Sequence, residues 1–253
     1  MKHIFVGSTQ RTKLYSEIKK AILPTRICLI AVLLLLVVIP FAFRKKIFKE
    51  NHGNYSPIAY VATFGGTGSA VYIGNNQLLS AAHVYAGMQV GDFCDVVFHD
   101  PNDGAITLEC RAQLIECGKY AMTKNPIDDY ALLKIVYRDI TKIIKECPIG
   151  TSSTCRASDN IFIEGFPNGN YRKDDGIISS NQDRDFFAVS AGAWHGASGG
   201  ALLDKNGNLI GIILSISQQV SLVGTIHFSP VSTYAYKIDK VKSIIASKGH
   251  QIP

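Results

Sequence analysis

From Ile58 onward the chain alternates apolar and polar positions in short runs separated by Gly, Asn, Asp and Pro. The runs are IAYVATF (58–64), SAVYI (69–73), QLLSAA (77–82), DVVFH (95–99), ITLECRAQLIEC (106–117), YALLKIVY (130–137), NIFIEGF (160–166), DFFAVSA (185–191), GALLD (200–204), LIGIILSIS (209–217) and GTIHFS (224–229). Val, Ile, Tyr, Phe and Thr dominate them and suit a pleated, half-buried surface, while Gly74-Asn75-Asn76 and Asn206-Gly207 supply tight turns. Eleven such strands without an intervening helical period predict an all-β sandwich or barrel pair. A three-to-four-residue period appears only in the tail, where Tyr234, Ile238, Val241 and Ile245 predict a C-terminal helix within Val231 to Ser247.

The amino-terminal fifth follows a different pattern. From Ile27 to Phe43 the chain runs seventeen residues without a charge, and Pro24 suits the first turn of a helix. Counted from Pro24 the run reaches 20 residues, about 30 Å of helix and the thickness of a bilayer's hydrocarbon core. Arg26 lies at one end, and Arg44, Lys45, Lys46 and Lys49 lie at the other. The run is read as an uncleaved membrane anchor. A removed secretory signal is the other reading, opposed by the long preceding segment and the absence of a small-x-small cleavage site. Basic residues flank both ends, so the positive-inside bias is slight and leans toward an internal amino end with the C-terminal part on the extracytoplasmic side. The organisation expected is a basic segment over 1–23, a transmembrane helix over 24–43, a polar tether over 44–54 and one domain over 55–253.

Charge then excludes one class of partner. The formal net charge is +6, but residues 1–50 hold 10 Lys+Arg against 2 Asp+Glu. The body of the chain is therefore slightly acidic, which argues against nucleic acid as its ligand. Of six cysteines, Cys28 lies in the apolar run, leaving Cys94, Cys110, Cys117, Cys147 and Cys155. Cys110 with Cys117 and Cys147 with Cys155 are near enough in sequence to bridge if the chain turns between them, and buried free thiols account for them equally well. There is no Cys-x-x-Cys pair, so neither a zinc site nor another cofactor is expected.

Candidate chemistry gathers in three segments. Gly196-Ala197-Ser198-Gly199-Gly200 sets a serine among glycines just before a strand, where missing side chains let a carbonyl group and backbone N–H groups approach the hydroxyl. Alone this is often only a glycine-rich turn. A serine hydroxyl also needs an imidazole to take its proton and a buried carboxylate to orient that imidazole. His83 ends the run Leu78-Leu79-Ser80-Ala81-Ala82, whose small residues leave room around a ring. Asp129 immediately precedes the strand Tyr130-Ala131-Leu132-Leu133-Lys134-Ile135, with Asp128 as the fallback one step further out.

Taken together, Gly68-Ser69-Ala70 through Ala81-Ala82-His83, then Asp129 to Lys134, then Gly196 to Gly200 resemble the trypsin-like (chymotrypsin-fold) serine peptidases in motif, order and spacing. Ile163-Glu164-Gly165-Phe166-Pro167 and the lack of a cysteine after the histidine look more like bacterial members, including the HtrA-type and glutamyl-endopeptidase-type enzymes. The resemblance covers roughly 58–240. It implies two six-stranded antiparallel β-barrels with a C-terminal helix, preceded here by the transmembrane helix, and an active site in the cleft between the barrels. It also implies Ser198 as nucleophile, His83 as general base and later acid, Asp129 as orienter, and the N–H groups of Gly196 and Ser198 as oxyanion hole. The function implied is a membrane-anchored serine endopeptidase acting on protein or peptide substrates through an acyl-enzyme.

Departures from the family pattern refine these expectations. Zymogen-activated members carry an aspartate just before the serine, where this chain has Ala197, so activity without propeptide removal is expected. Six residues before the serine, Gly192 replaces the acid of enzymes that select Lys or Arg, so no preference for basic residues is expected. Leu214, Ser215 and Ile216 would form the pocket wall and shorten it toward small apolar side chains. His227 lies on a strand that could border this pocket, although a core or surface role is commoner for such a residue. Only about 25 residues follow Phe228, so no PDZ-like module is expected after the peptidase segment. The rival reading is a catalytically silent binding or chaperone module on the same fold. An α/β-hydrolase esterase is disfavoured, because its nucleophile would precede the acid and histidine.

Overall fold

A computed structural model describes residues 54–104, 107–118, 128–193, 195–221 and 227–253, with the side chains of 215–232 outside the description. The chain divides into two units at residues 51 and 52, and all the described residues lie in the second. Among them no helix is long and apolar enough to cross a membrane; the span read over 24–43 lies outside them.

The first barrel contains β1 (Ile58–Thr63), β2 (Gly66–Gly74), β3 (Gln77–Ser80), β4 (Phe93–His99), β5 (Thr107–Cys117) and β6 (Ala131–Val136). They close antiparallel in the order β1-β2-β3-β6-β5-β4. The second barrel contains β7 (Asn160–Gly165), β8 (Arg172–Ser180), β9 (Phe186–Val189), β10 (Ala201–Asp204), β11 (Leu209–Ser221) and β12 (His227–Lys237), closed in the order β10-β11-β12-β9-β8-β7. Helix α1 (Ile238–Ser247) follows. These are the two six-stranded barrels and terminal helix that the resemblance implies.

Local chemistry explains the closure. Gly74, Asn75 and Asn76 all take positive φ, which is why the β2–β3 hairpin turns on glycine and asparagine. In β4 Cys94, Val96 and Phe98 point inward and are buried while Asp95 is exposed. Asp204 caps the β10–β11 turn, its Oδ1 accepting the N–H groups of Asn206 at 2.8 Å and Asn208 at 2.9 Å.

Two readings of the sequence are corrected, and one left open is decided. The alternation pattern misses β8, whose segment RKDDGIISS buries only Ile178 fully. Its pairing instead draws on cross-strand charge: Lys173 lies opposite Glu164, with Nζ 2.6 Å from Oε1, and the Tyr171 hydroxyl donates to Oε2 at 3.0 Å. Burial and the adjacent carboxylate raise the Tyr171 hydroxyl above its ordinary pKa. The tail helix starts at Ile238, not Val231, because β12 continues through Tyr234 to Lys237. Ile238, Val241 and Ile245 lie on the helix and are buried, whereas Tyr234 stands on the strand and continues the period only by coincidence of spacing. Finally, the five described cysteines are free thiols. Cys110 and Cys117 share β5, about 23 Å of extended chain, so no turn brings them together.

Candidate active site

His83 and Asp129 both belong to the first barrel. The chain leaves β3 at Ser80 and enters a 3-10 turn over Ala82–Tyr85, with Ala81 and Ala82 buried beside the ring of His83. Asp129 lies two residues before β6 and is 2% exposed. Because β3 and β6 are neighbours in register, their ends bring the two residues together. Asp129 Oδ1 accepts the His83 backbone N–H at 3.0 Å, and Oδ2 lies 2.8 Å from His83 Nδ1. An ionised carboxylate only accepts, so in the neutral ring the proton sits on Nδ1 and the lone pair on Nε2. The two contacts fix both the backbone and the ring, and the His83 side chain retains 25% exposure. Of the two adjacent acids, the structure thus brings Asp129 to the imidazole. Asp128 forms the close backbone approach to Gly118 instead.

Ser198 lies in the loop between β9 and β10, and its hydroxyl donates to the Leu214 carbonyl at 2.9 Å. Leu214 sits where the β11–β12 register slips between Ile213 and Ser215, so a bulge turns its carbonyl to the serine. Sequence reasoning assigned Leu214 a side-chain role as a pocket wall; its side chain is buried and its backbone carbonyl makes the contact. Ser198 is tied to the first barrel, since its carbonyl accepts the Ser69 N–H at 2.8 Å. Gly199, at φ +83°, passes so close that a Cβ would stand 2.1 Å from the Ser69 carbonyl oxygen and 3.1 Å from the Ala81 nitrogen. Only glycine permits that approach, which sets the serine loop against the segment leading to His83.

Next to the serine, Gly196 takes φ +94°. Four consecutive carbonyls of this loop are anchored. That of His195 accepts from Asn168 N–H at 2.7 Å, Gly196 from the Ser69 hydroxyl at 2.7 Å, Ala197 from Gly200 N–H at 2.9 Å and Ser198 from Ser69 N–H at 2.8 Å. In a planar trans peptide the N–H points opposite to the preceding C=O. The N–H groups of Gly196 and Ser198 are therefore aimed away from Asn168 and Gly200 respectively, and among the described residues neither donates a hydrogen bond. Two fixed, unspent donors beside a hydroxyl are what stabilises an oxygen that becomes negative.

Gly192 lines a small cleft with Ala193, Ala197 and Ile213. The backbone of Ser215 and Ile216 continues β11, pairing with Tyr234 and Thr233. Their side chains and that of His227 lie outside the description, so the pocket reading for them does too. Ser69 and the 166–168 loop were missed as site residues. The motif Gly68-Ser69-Ala70 was a signal, but only for family resemblance.

Comparison with known proteins identifies the fold and the family. The family model for the trypsin-like peptidase domain matches residues 68–212. Among solved structures, the HtrA-type protease AlgW with a tripeptide superposes with a TM-score of 0.57 at 27% identity, covering 77% of this chain and 61% of that one. The serine endoprotease from Yersinia pestis gives 0.55 at 21% identity, covering 77% of this chain and 63% of that one. The active form of the Rv3671c protease from M. tuberculosis gives 0.56 at 15% identity, covering 78% and 82%. The chain thus spans less than two thirds of the AlgW and Yersinia chains it matches. No curated protein matches by sequence. The family match and the paired barrels together establish that this chain belongs to the trypsin-like peptidases and is a serine endopeptidase.

Proposed function

We propose that the chain hydrolyses peptide bonds through Ser198, His83 and Asp129, with the N–H groups of Gly196 and Ser198 as oxyanion hole. The observation that carries this reading is the double grip of Asp129 on His83, at 3.0 Å on the backbone and 2.8 Å on the ring. It leaves Nε2 as the basic nitrogen, which is the tautomer a general base needs. In the reaction the Ser198 hydroxyl turns about its χ1 from the Leu214 carbonyl toward His83 Nε2. It gives its proton to that nitrogen as the oxygen attacks the scissile carbonyl, and the developing oxyanion is met by the two N–H groups. His83 then protonates the leaving amine, and water repeats the sequence to release the acyl group. AlgW has been crystallised with a tripeptide, and a protein or peptide substrate is the partner proposed here. No Lys or Arg preference is expected, because Gly192 offers no carboxylate.

The second reading, a binding module without turnover, draws on one observation: the Ser198 hydroxyl is bonded to Leu214 rather than directed at a base. A fluorophosphonate probe separates the two. Labelling that disappears in Ser198→Ala supports the peptidase mechanism, and well-folded protein that takes no label supports the binder.

The apolar run over 24–43 is proposed to anchor the chain in a membrane, with the peptidase domain on the extracytoplasmic side. Protease protection of sealed vesicles, read with an antibody to the C-terminal tail, tests this. Degradation of the tail only after the side facing the cytoplasm is exposed would reverse the orientation.

A further inference from the structure

The geometry points to Ser69 as the positioning residue that holds the oxyanion loop in its working orientation, a role that rests on the mechanism proposed above. Ser69 is on β2 of the first barrel and is fully buried. Its hydroxyl donates to the Gly196 carbonyl at 2.7 Å and accepts the Phe166 N–H at 2.9 Å, both groups belonging to the second barrel. Its backbone N–H donates to the Ser198 carbonyl at 2.8 Å, and its own carbonyl accepts the Ser80 hydroxyl at 2.7 Å. One residue of the first barrel thus holds two of the four anchored carbonyls in the loop that follows His195.

The need for such a hold follows from glycine. At φ +94° Gly196 has no side chain to restrict its flanking peptides: the one before it carries the Gly196 N–H, and the one after it, through Ala197, sets the path of the chain between the Gly196 and Ser198 donors, so its rotation would disturb their spacing. Asn168 fixes the peptide on one side of Gly196 and the Ser69 hydroxyl fixes the other. Space near Ser69 is limited as well: a Cβ on Gly165 would stand 3.1 Å from Ser69 Oγ. Removing the hydroxyl therefore leaves the Gly196 carbonyl and Phe166 N–H without their partner, and the peptide is free to turn. Ser69 touches no substrate; its effect on the reaction passes through Gly196.

The test uses the full chain with Ser69→Ala and Ser69→Cys. Ser69→Ala should lower kcat about tenfold or more with KM nearly unchanged, and weaken a peptide aldehyde, whose adduct places an oxyanion in the hole, by a similar factor. Binding of the same peptide as an uncleaved amide to Ser198→Ala should not change when Ser69→Ala is added. Ser69→Cys, near in shape but a weaker donor, should fall between the parent and Ser69→Ala, and carries the test if Ser69→Ala does not fold. A purely structural role would lower the melting temperature yet leave kcat and aldehyde affinity at the parent's values well below it. Either variant folded with kcat and aldehyde affinity within twofold of the parent overturns the proposal. Full turnover by Ser198→Ala would instead overturn the underlying mechanism, so the two failures are distinct.

Discussion

At the scale of single residues, the site depends on one carboxylate serving two N–H groups of His83. An asparagine at 129 keeps the shape but presents an amide that can donate to the ring, which reverses the tautomer. Asp129→Asn is expected to lower kcat about 10⁴-fold, and Asp128→Asn less than threefold, in peptide-ester turnover at neutral pH. The sequence made His83 and Asp129 legible because one closes a strand pattern, the other opens one, and they fall in the order that this peptidase resemblance implies. It left Asp128 in contention, since two adjacent acids differ only in where a backbone bend points them. The partner of the Ser198 hydroxyl was not legible at all. It is a main-chain carbonyl, exposed to the serine by a bulge at Leu214, and any residue type there offers the same oxygen. Ser69 was hidden differently: a small polar residue in an apolar run looks like a neutral strand position until the second barrel is set against it.

At the scale of elements, period-two patterning located strands that bury one face and failed where charge took the place of burial. In β8 the paired Lys173 and Glu164 do what apolar pairs do elsewhere, so hydropathy reads the segment as a loop. The boundary between β12 and α1 was blurred because a four-residue step joins Tyr234 on the strand to Ile238 on the helix. The helix itself is held by burial of Ile238, Val241 and Ile245. Truncating one of them removes apolar contacts and leaves a cavity. Ile245→Ala should destabilise the domain by about 2–5 kcal/mol in denaturant unfolding, whereas Ser243→Ala on the exposed face should change it by less than about 0.5 kcal/mol.

At the scale of the whole molecule, the second unit contains barrels that keep their thiols reduced and neutral. Burial pushes the thiols of Cys94 and Cys147 up to about 12, and those of Cys110 and Cys117 up to about 11, from an ordinary value of 9.0. Such groups stay protonated in the native state while the unfolded chain releases its protons above pH 9. The unfolded state then binds fewer protons, so stability is level below pH 9 and falls as pH rises toward 12. Each buried thiol contributes a slope of at most about 1.4 kcal/mol per pH unit. Urea unfolding between pH 7 and 11, with thiol titration by a disulfide reagent, should show lost stability and slow native-state reaction at alkaline pH. A flat profile to pH 11 would contradict it. The barrel pair was legible from order and spacing, because closed sheets need many short alternating strands. The thiol state was not: sequence distance admitted bridges that an extended β5 forbids.

The central claim is that Ser198 and His83 act as one catalytic unit. A double-mutant cycle on kcat/KM measures it directly, using the parent, Ser198→Ala, His83→Ala and the pair together. If the two side chains share one step, the double variant is no slower than Ser198→Ala alone, to within about threefold. If instead the two losses multiply, or Ser198→Ala turns over at the parent's rate, the account of the site is wrong.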